Sequence, residues 1–290
     1  LRCLVGSEMC IRDSSSTINS GNETEFNTLL THEANGQINI TSQNLTVDSG
    51  TISAATANQL AATTIGTVTA AIDTTATING LKTLTGTNAY TIVINSGDAS
   101  ALASDLTAID NATSIAIDAS AVTNIIGTVG EVQTLYGSSG LSELGNETIN
   151  VNGDITVAEA NAIDLLTTET VSASIASSET VSNLKTLTGN NAYLITIGTS
   201  DSTVKASDLN MINDLTTATV NASVVKSIAP DTASNIKTLL TAGNDTSQFT
   251  ETSFANLTSV SVFNATEYLE SNADLKAVSY THLTLPTNGC

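Results

Sequence analysis

Tryptophan is absent from this 290-residue chain, proline occurs twice, and aromatic residues make up 3% of it. Cationic side chains are scarce as well: 8 Lys and Arg stand against 28 Asp and Glu, a formal net charge of −20. That balance excludes nucleic acid as a partner, because such binding rests on Lys and Arg neutralising phosphates. No apolar run approaches the roughly 18 residues that a membrane-spanning helix needs. What is present is a 40% hydrophobic fraction, carried mainly by Ala, Ile, Leu and Val. It suffices for a buried core and excludes wholesale disorder despite the charge. With so few aromatics, that core should be thin.

The two ends read differently from the rest. Met9-Cys10-Ile11-Arg12-Asp13 can be encoded as ATG TGT ATA AGA GAC, whose reverse complement encodes Val278-Ser279-Tyr280-Thr281-His282. With their flanks (Cys3 to Glu8 and Leu283 to Thr287) these ends resemble translated sequencing-adapter read-through from a metagenomic assembly. Residues 1–13 and 278–290 are therefore set apart from the fold and expected to add nothing to its core. Residues 14–277 keep no Cys, no Arg, one histidine (His32) and six lysines. They offer no disulfide framework and no cysteine metal site. The chain reads as the middle of a longer protein.

Within those bounds the sequence repeats. Residues 51–126 and 154–229, aligned without gaps at an offset of 103, share 32 identities in 76 positions. Leu81-Lys82-Thr83-Leu84-Thr85-Gly86 recurs as Leu184-Lys185-Thr186-Leu187-Thr188-Gly189, and Ala103-Ser104-Asp105-Leu106 as Ala206-Ser207-Asp208-Leu209. A half-period adds Val132-Gln133-Thr134-Leu135 and Ile236-Lys237-Thr238-Leu239, and Phe26-Asn27-Thr28-Leu29 begins the series. Such self-similarity is the mark of stacked repeats.

Strict alternation predicts strands at Val68/Ala70/Ile72, Tyr90/Ile92/Ile94, Ile115/Ile117/Ala119, Val171/Ala173/Ile175, Tyr193/Ile195/Ile197 and Val220/Ala222/Val224, each with one buried face. Shorter versions stand at Ile149/Val151 and Val260/Val262. Between them, spacings of three and four predict helices along Ile78/Leu81/Leu84, Ala103/Leu106/Ile109, Ile125/Val129/Val132 and Val181/Leu184/Leu187. Gly86, Gly137 and Gly189 follow, where a left-handed cap favours glycine. The expected fold is therefore α/β: a single-sheet right-handed β-α solenoid on a leucine-rich-repeat-like plan, with about 24 residues per strand–helix turn. A doubly wound sheet would bury both strand faces, and these strands alternate. An all-β helix conflicts with the helical stripes. Residues 14–43 would be an N-terminal approach with a partial repeat, 44–243 the solenoid, and 244–277 a cap or the start of another module. In the last, Phe249, Phe254, Phe263 and Tyr268 cluster.

Tyr268-Leu269-Glu270-Ser271-Asn272-Ala273-Asp274-Leu275 resembles a short motif of large bacterial surface proteins. The Thr/Ala/Ile-rich repeats resemble those of giant secreted or cell-surface proteins of marine cyanobacteria, over most of residues 35–277. The resemblance implies an extracellular or cell-surface location. Such proteins often add calcium-binding glycine-rich nonapeptides, a pattern missing here.

Chemistry is thinly represented. His32 lies outside the clear repeats and reads as an exposed loop residue. No His/Cys cluster, phosphate-cradling loop or dinucleotide fingerprint is present, so no catalytic residue and no cofactor is expected. Asp105 and Asp208 recur because the repeat recurs, and read as turn or helix-start residues; the alternative is calcium bridging between turns. Lys82 and Lys185 read as solvated. Asn88 and Asn191 are expected to form an asparagine ladder at a corner. The nine Asn-x-Ser/Thr sequons follow from composition. The outward strand faces (Thr67/Thr69, Thr170/Ser172/Ser174, Thr219/Asn221/Ser223) are small and hydroxyl-rich, without the aromatic platforms of glycan sites. Two classes follow. One is a non-catalytic spacer, stalk or surface coat partnered by neighbouring repeats, with cell-surface polysaccharide left as a partner to the second. The other is a solenoid binding calcium, polysaccharide or ice.

Overall fold

The computed structural model describes residues 18–261, which fall into two compact units divided between Ser174 and Ile175. The expectations for residues 1–13 and 278–290, and for Val262, Phe263 and the segment from Tyr268 to Leu275, lie outside the described residues.

The first unit begins with β1 (Gly21–Asn22), α1 (Glu23–Ala34), β2 (Leu45–Ser49), α2 (Ala54–Thr63), β3 (Val68–Ala71), α3 (Ile78–Leu81), β4 (Ala89–Thr91) and β5 (Ser100–Leu102). It continues through α4 (Ala103–Asn111), β6 (Ile117–Asp118), β7 (Asn124–Gly127), α5 (Val129–Gly137), β8 (Leu141–Ser142), β9 (Thr148–Ile155) and α6 (Val157–Asp164) to β10 (Val171–Ile175). The second unit holds α7 (Val181–Leu184), β11 (Ala192–Thr196), β12 (Thr203–Lys205), α8 (Ala206–Asp214), β13 (Val220–Asn221), β14 (Ser227–Ala229), α9 (Ala233–Ala242) and β15 (Ser259–Val260).

The fold is α/β with parallel sheets. Leu45 stands opposite Val68, Ser100 opposite Asn124, Asn124 opposite Thr148 and Thr203 opposite Ser227. The partners in these four pairs lie 23 or 24 residues apart. Parallel neighbours need a crossover, and the helices provide it. On α4, α6 and α8 the first, fourth and seventh residues face inward: Ala103/Leu106/Ile109, Val157/Ala160/Ile163 and Ala206/Leu209/Ile212 are all buried. The strand triplets starting at Val68, Tyr90, Val171 and Tyr193 are buried as expected. Each fully buried Leu, Ile or Val contributes about 1.5–3 kcal/mol. Leu81, Val132, Leu184 and Ile236 lie buried on α3, α5, α7 and α9, alternate helices in chain order.

The single sheet is not what forms. In the first unit β1-β2-β3-β4 make one sheet, β5-β7-β9-β10 a second and β6-β8 a third; in the second unit β11 pairs with β13, apart from β12-β14-β15. The physical reason is an extra strand between the expected strand and the helix. β4 and β5 are successive but join different sheets, as do β11 and β12. Ser100-Ala101-Leu102 runs directly into the stripe that starts at Ala103, so its own alternation is hidden.

Smaller departures have local causes. Ile115 is exposed: its N–H donates to the buried Thr113 hydroxyl two residues earlier, a local turn that breaks the alternation. Val225, not Val224, is buried beside Ala222, because the Asn221 side chain accepts from Ser223 N–H and turns the chain there. Ile125 belongs to β7, so the α5 stripe is Val132/Leu135. Gly86 and Gly189 adopt positive φ (74° and 71°), whereas Gly137 ends α5 without one. In residues 244–261 Phe249 bridges Val220 in parallel, β15 pairs with β14, and the Phe249 and Phe254 rings meet at 5.2 Å, tilted by 55°.

Candidate functional site

The repeated acids are the natural place to look for chemistry, and the structure gives each a partner. Asp105 is the third residue of α4 and Asp208 the third of α8, in first turns where a carboxylate suits the helix dipole. Lys82, at the C-terminus of α3, places Nζ 2.9 Å from Asp105 Oδ2, and Lys185, at the C-terminus of α7, lies 2.8 Å from Asp208 Oδ1. The lysines are thus ion-paired rather than solvated. The aspartate side chains are 18% and 24% exposed.

This donor set does not fit calcium. A calcium site gathers six to eight oxygens; here each carboxylate faces an ammonium. Among the described residues no group of three or more His, Cys, Asp or Glu is placed to hold a metal. No helix among them is long and apolar enough to cross a membrane.

A second class of acid escaped the sequence reading. Asp98 Oδ2 accepts from Ile78 N–H at 2.8 Å, and Asp201 Oδ2 from Val181 N–H at 3.1 Å. Each supplies an acceptor to the first N–H of a short helix one chain turn earlier. Their signal was available, since both recur at the 103-residue offset. A third class makes turns: Asp73, Asp118 and Asp245 accept from the N–H two residues on. Hydrogen bonds from Thr75, Ser120 and Ser247 respectively hold these carboxyls below the usual range.

The asparagine ladder is replaced by an alternation of amide and hydroxyl. Asn88, buried, accepts from Val68 N–H at 2.9 Å and donates to Thr85 O at 3.1 Å. The position opposite it is Thr113, whose hydroxyl donates to Tyr90 O at 2.7 Å. Asn191 and Thr216 are likewise opposite one another, with Thr216 donating to Tyr193 O at 2.7 Å. Thr64 and Thr167 do the same for Gln43 O and Glu147 O. A hydroxyl that both donates and accepts reaches two strands where an amide ladder would need identical spacing at every turn.

His32 sits in the last turn of α1, exposed and bonded to Gln37, not in a loop. One polar departure from the repeat was also missed. Glu147 is fully buried, its Oε2 accepting from the Tyr136 hydroxyl at 2.7 Å and from Gly145 N–H at 2.9 Å. Its Oε1 has no hydrogen-bond partner among the described residues. Burial, then the hydrogen bond and charge of Glu147, push the Tyr136 phenol up.

Comparison with family models, curated proteins and solved structures finds no match for this chain.

Proposed function

We propose that the chain is a structural repeat segment, a spacer, stalk or surface coat, of a large extracellular or cell-surface bacterial protein, and that it performs no catalysis. The finer architecture belongs to the same proposal: a right-handed succession of β-α turns whose partners are neighbouring repeats. The observation that carries it is the fate of the recurring acids. Asp105 and Asp208 pair with lysines, and Asp98 and Asp201 accept from helix N–H groups. Acids spent on repeat-to-repeat contacts build length, whereas a reacting centre needs different groups converging on one point. The net charge of −20 favours solubility and resists self-association in a saline exterior, where salt screens the repulsion.

The test is ligand binding by the full chain. Bacterial polysaccharides on a glycan array and millimolar calcium in solution should give no saturable signal. Saturable binding of either would replace the spacer with the ligand-binding reading.

A further inference from the structure

We propose that Asn152 is a site of spontaneous covalent modification: the Gly153 backbone nitrogen displaces its side-chain amide, and water opens the product to aspartate or isoaspartate. The inference is independent of the spacer reading above. Three Asn-Gly pairs stand among the described residues: Asn35-Gly36, Asn79-Gly80 and Asn152-Gly153. In each, glycine leaves the attacking nitrogen unshielded by a side chain. Their surroundings differ.

In two of the pairs the nucleophile is engaged. Gly36 N–H donates to Glu33 O at 2.8 Å where α1 ends, and Gly80 N–H donates to Thr77 O at 2.9 Å within α3. Attack there must first break a hydrogen bond and open a turn. Asn152-Gly153 lies in β9, whose register with β7 ends at Val151. Asn152, Gly153 and Asp154 are all exposed, between the buried Val151 and Ile155. Gly153 has φ +86°, and a Cβ there would meet no atom within 4 Å.

The repeat separates what the fold needs from what is reactive. At the 103-residue offset Asn152-Gly153 corresponds to Ser49-Gly50, and Gly50 takes φ +82°. Both turns lead directly to a helix N-cap, Ser53 for α2 and Thr156 for α6. Backbone conformation therefore requires the glycine. The residue before it is interchangeable, since serine forms the same turn in the earlier copy.

The step balances with water as its only co-reactant. Gly153 N bonds to Asn152 Cγ and loses its proton, the Cγ–Nδ2 bond breaks, and the amide leaves as ammonia. The resulting succinimide takes up one water. Breaking its bond from nitrogen to Cγ gives aspartate; breaking its bond from nitrogen to the backbone carbonyl carbon gives isoaspartate. Either product adds a negative charge, and isoaspartate also lengthens the backbone by one carbon just before the α6 cap.

The test is peptide mapping by mass spectrometry of the full chain, aged in mildly alkaline buffer either folded or in urea. In the folded chain Asn152 should convert about tenfold faster than Asn35 or Asn79, the factor set by one retained hydrogen bond. In urea the three rates should converge, since protection at the other two sites is structural. Asn152→Ser, borrowed from the equivalent turn, should remove the signal and leave the melting midpoint of the fresh chain unchanged. Equal rates at the three sites of the folded chain, faster conversion at Asn35 or Asn79, or an Asn152 that reacts only in urea would each overturn the proposal. So would an advantage of Asn152 that persists undiminished in urea. Glycan or calcium binding would leave these readouts unchanged, so the two proposals fail separately.

Discussion

The Asp98 carboxylate accepts a hydrogen bond from Ile78 N–H at 2.8 Å, closing the start of α3 from one chain turn away. Thr77, the N-cap of that helix, makes no side-chain cap bond, so the first turn depends on Asp98. Asp201 does the same for α7, but there Thr180 also caps, accepting from Asn183 N–H at 3.3 Å. Asp98→Ala should therefore cost about 0.5–2 kcal/mol and Asp201→Ala less, with Asp98→Asn keeping most of the stability. Urea midpoints of the three variants decide it; equal losses at the two aspartates would mean the carboxylates act through charge alone.

Thr113 tests the corner hydroxyls. Its Oγ1 donates to Tyr90 O at 2.7 Å and accepts from Tyr90 N–H at 3.0 Å and Ile115 N–H at 3.1 Å. Thr113→Val keeps the shape and strands these backbone groups, at a cost of about 1–3 kcal/mol. Thr113→Ser should recover most of it. The same order, wild type, Ser, Val, is expected at Thr216, whose hydroxyl meets Tyr193 O. Thermal melts of the two series would show it; a valine variant as stable as wild type would mean the backbone finds other partners.

The buried faces were legible because periodicity reports them directly. Val68/Ala70/Ile72 and Ala103/Leu106/Ile109 are buried as their spacing demands. Contacts between chain turns were not, since nothing local tells Lys82 that Asp105 returns to within 2.9 Å. The clue was recurrence of both partners at one offset, but the aspartates read as turn or helix-start residues and the lysines as solvated. The extra strands failed for another reason: a three-residue strand such as β5, joined to a helix without a break, has too few residues to display a period of two. Glu147 was invisible because a lone acid in a polar loop looks solvated until the chain folds over it.

Calcium separates the two readings of Asp105 and Asp208. With each carboxylate facing a lysine ammonium at 2.8–2.9 Å, millimolar calcium should move the melting midpoint by no more than a few degrees. Lys82→Met should cost no more than about 1 kcal/mol, the usual worth of a partly exposed pair, and less at high salt. A calcium-dependent rise of tens of degrees, in the wild type or in Lys82→Met, would make these aspartates ligands.

Dependence on pH follows from the caps and turns. Backbone N–H and hydroxyl of Thr128 and Thr156 donate to Glu131 and Glu159 and hold both carboxyls below the usual glutamate range. Asp73, Asp118 and Asp245 are lowered in the same way. A carboxylate lowered in the folded state contributes stability that is complete above its unfolded pKa and is lost as pH falls through the folded one. These unfolded values are 3.8 for Asp and 4.5 for Glu, so the melting midpoint should be level from pH 7 to about 5 and fall below about 4. Glu159→Gln should remove part of that acid loss. At the other end, burial raises the Tyr90 phenol from 10.0 to about 12. A group raised in this way keeps its full contribution below pH 10 and loses it as pH climbs toward 12. Tyr90→Phe should blunt the alkaline loss, giving up the hydroxyl's 3.3 Å contact with Ala57 O. Melting curves from pH 2 to 12 would show both limbs, and a steep change between pH 5 and 8 would contradict the assignment of the acid limb to these carboxylates.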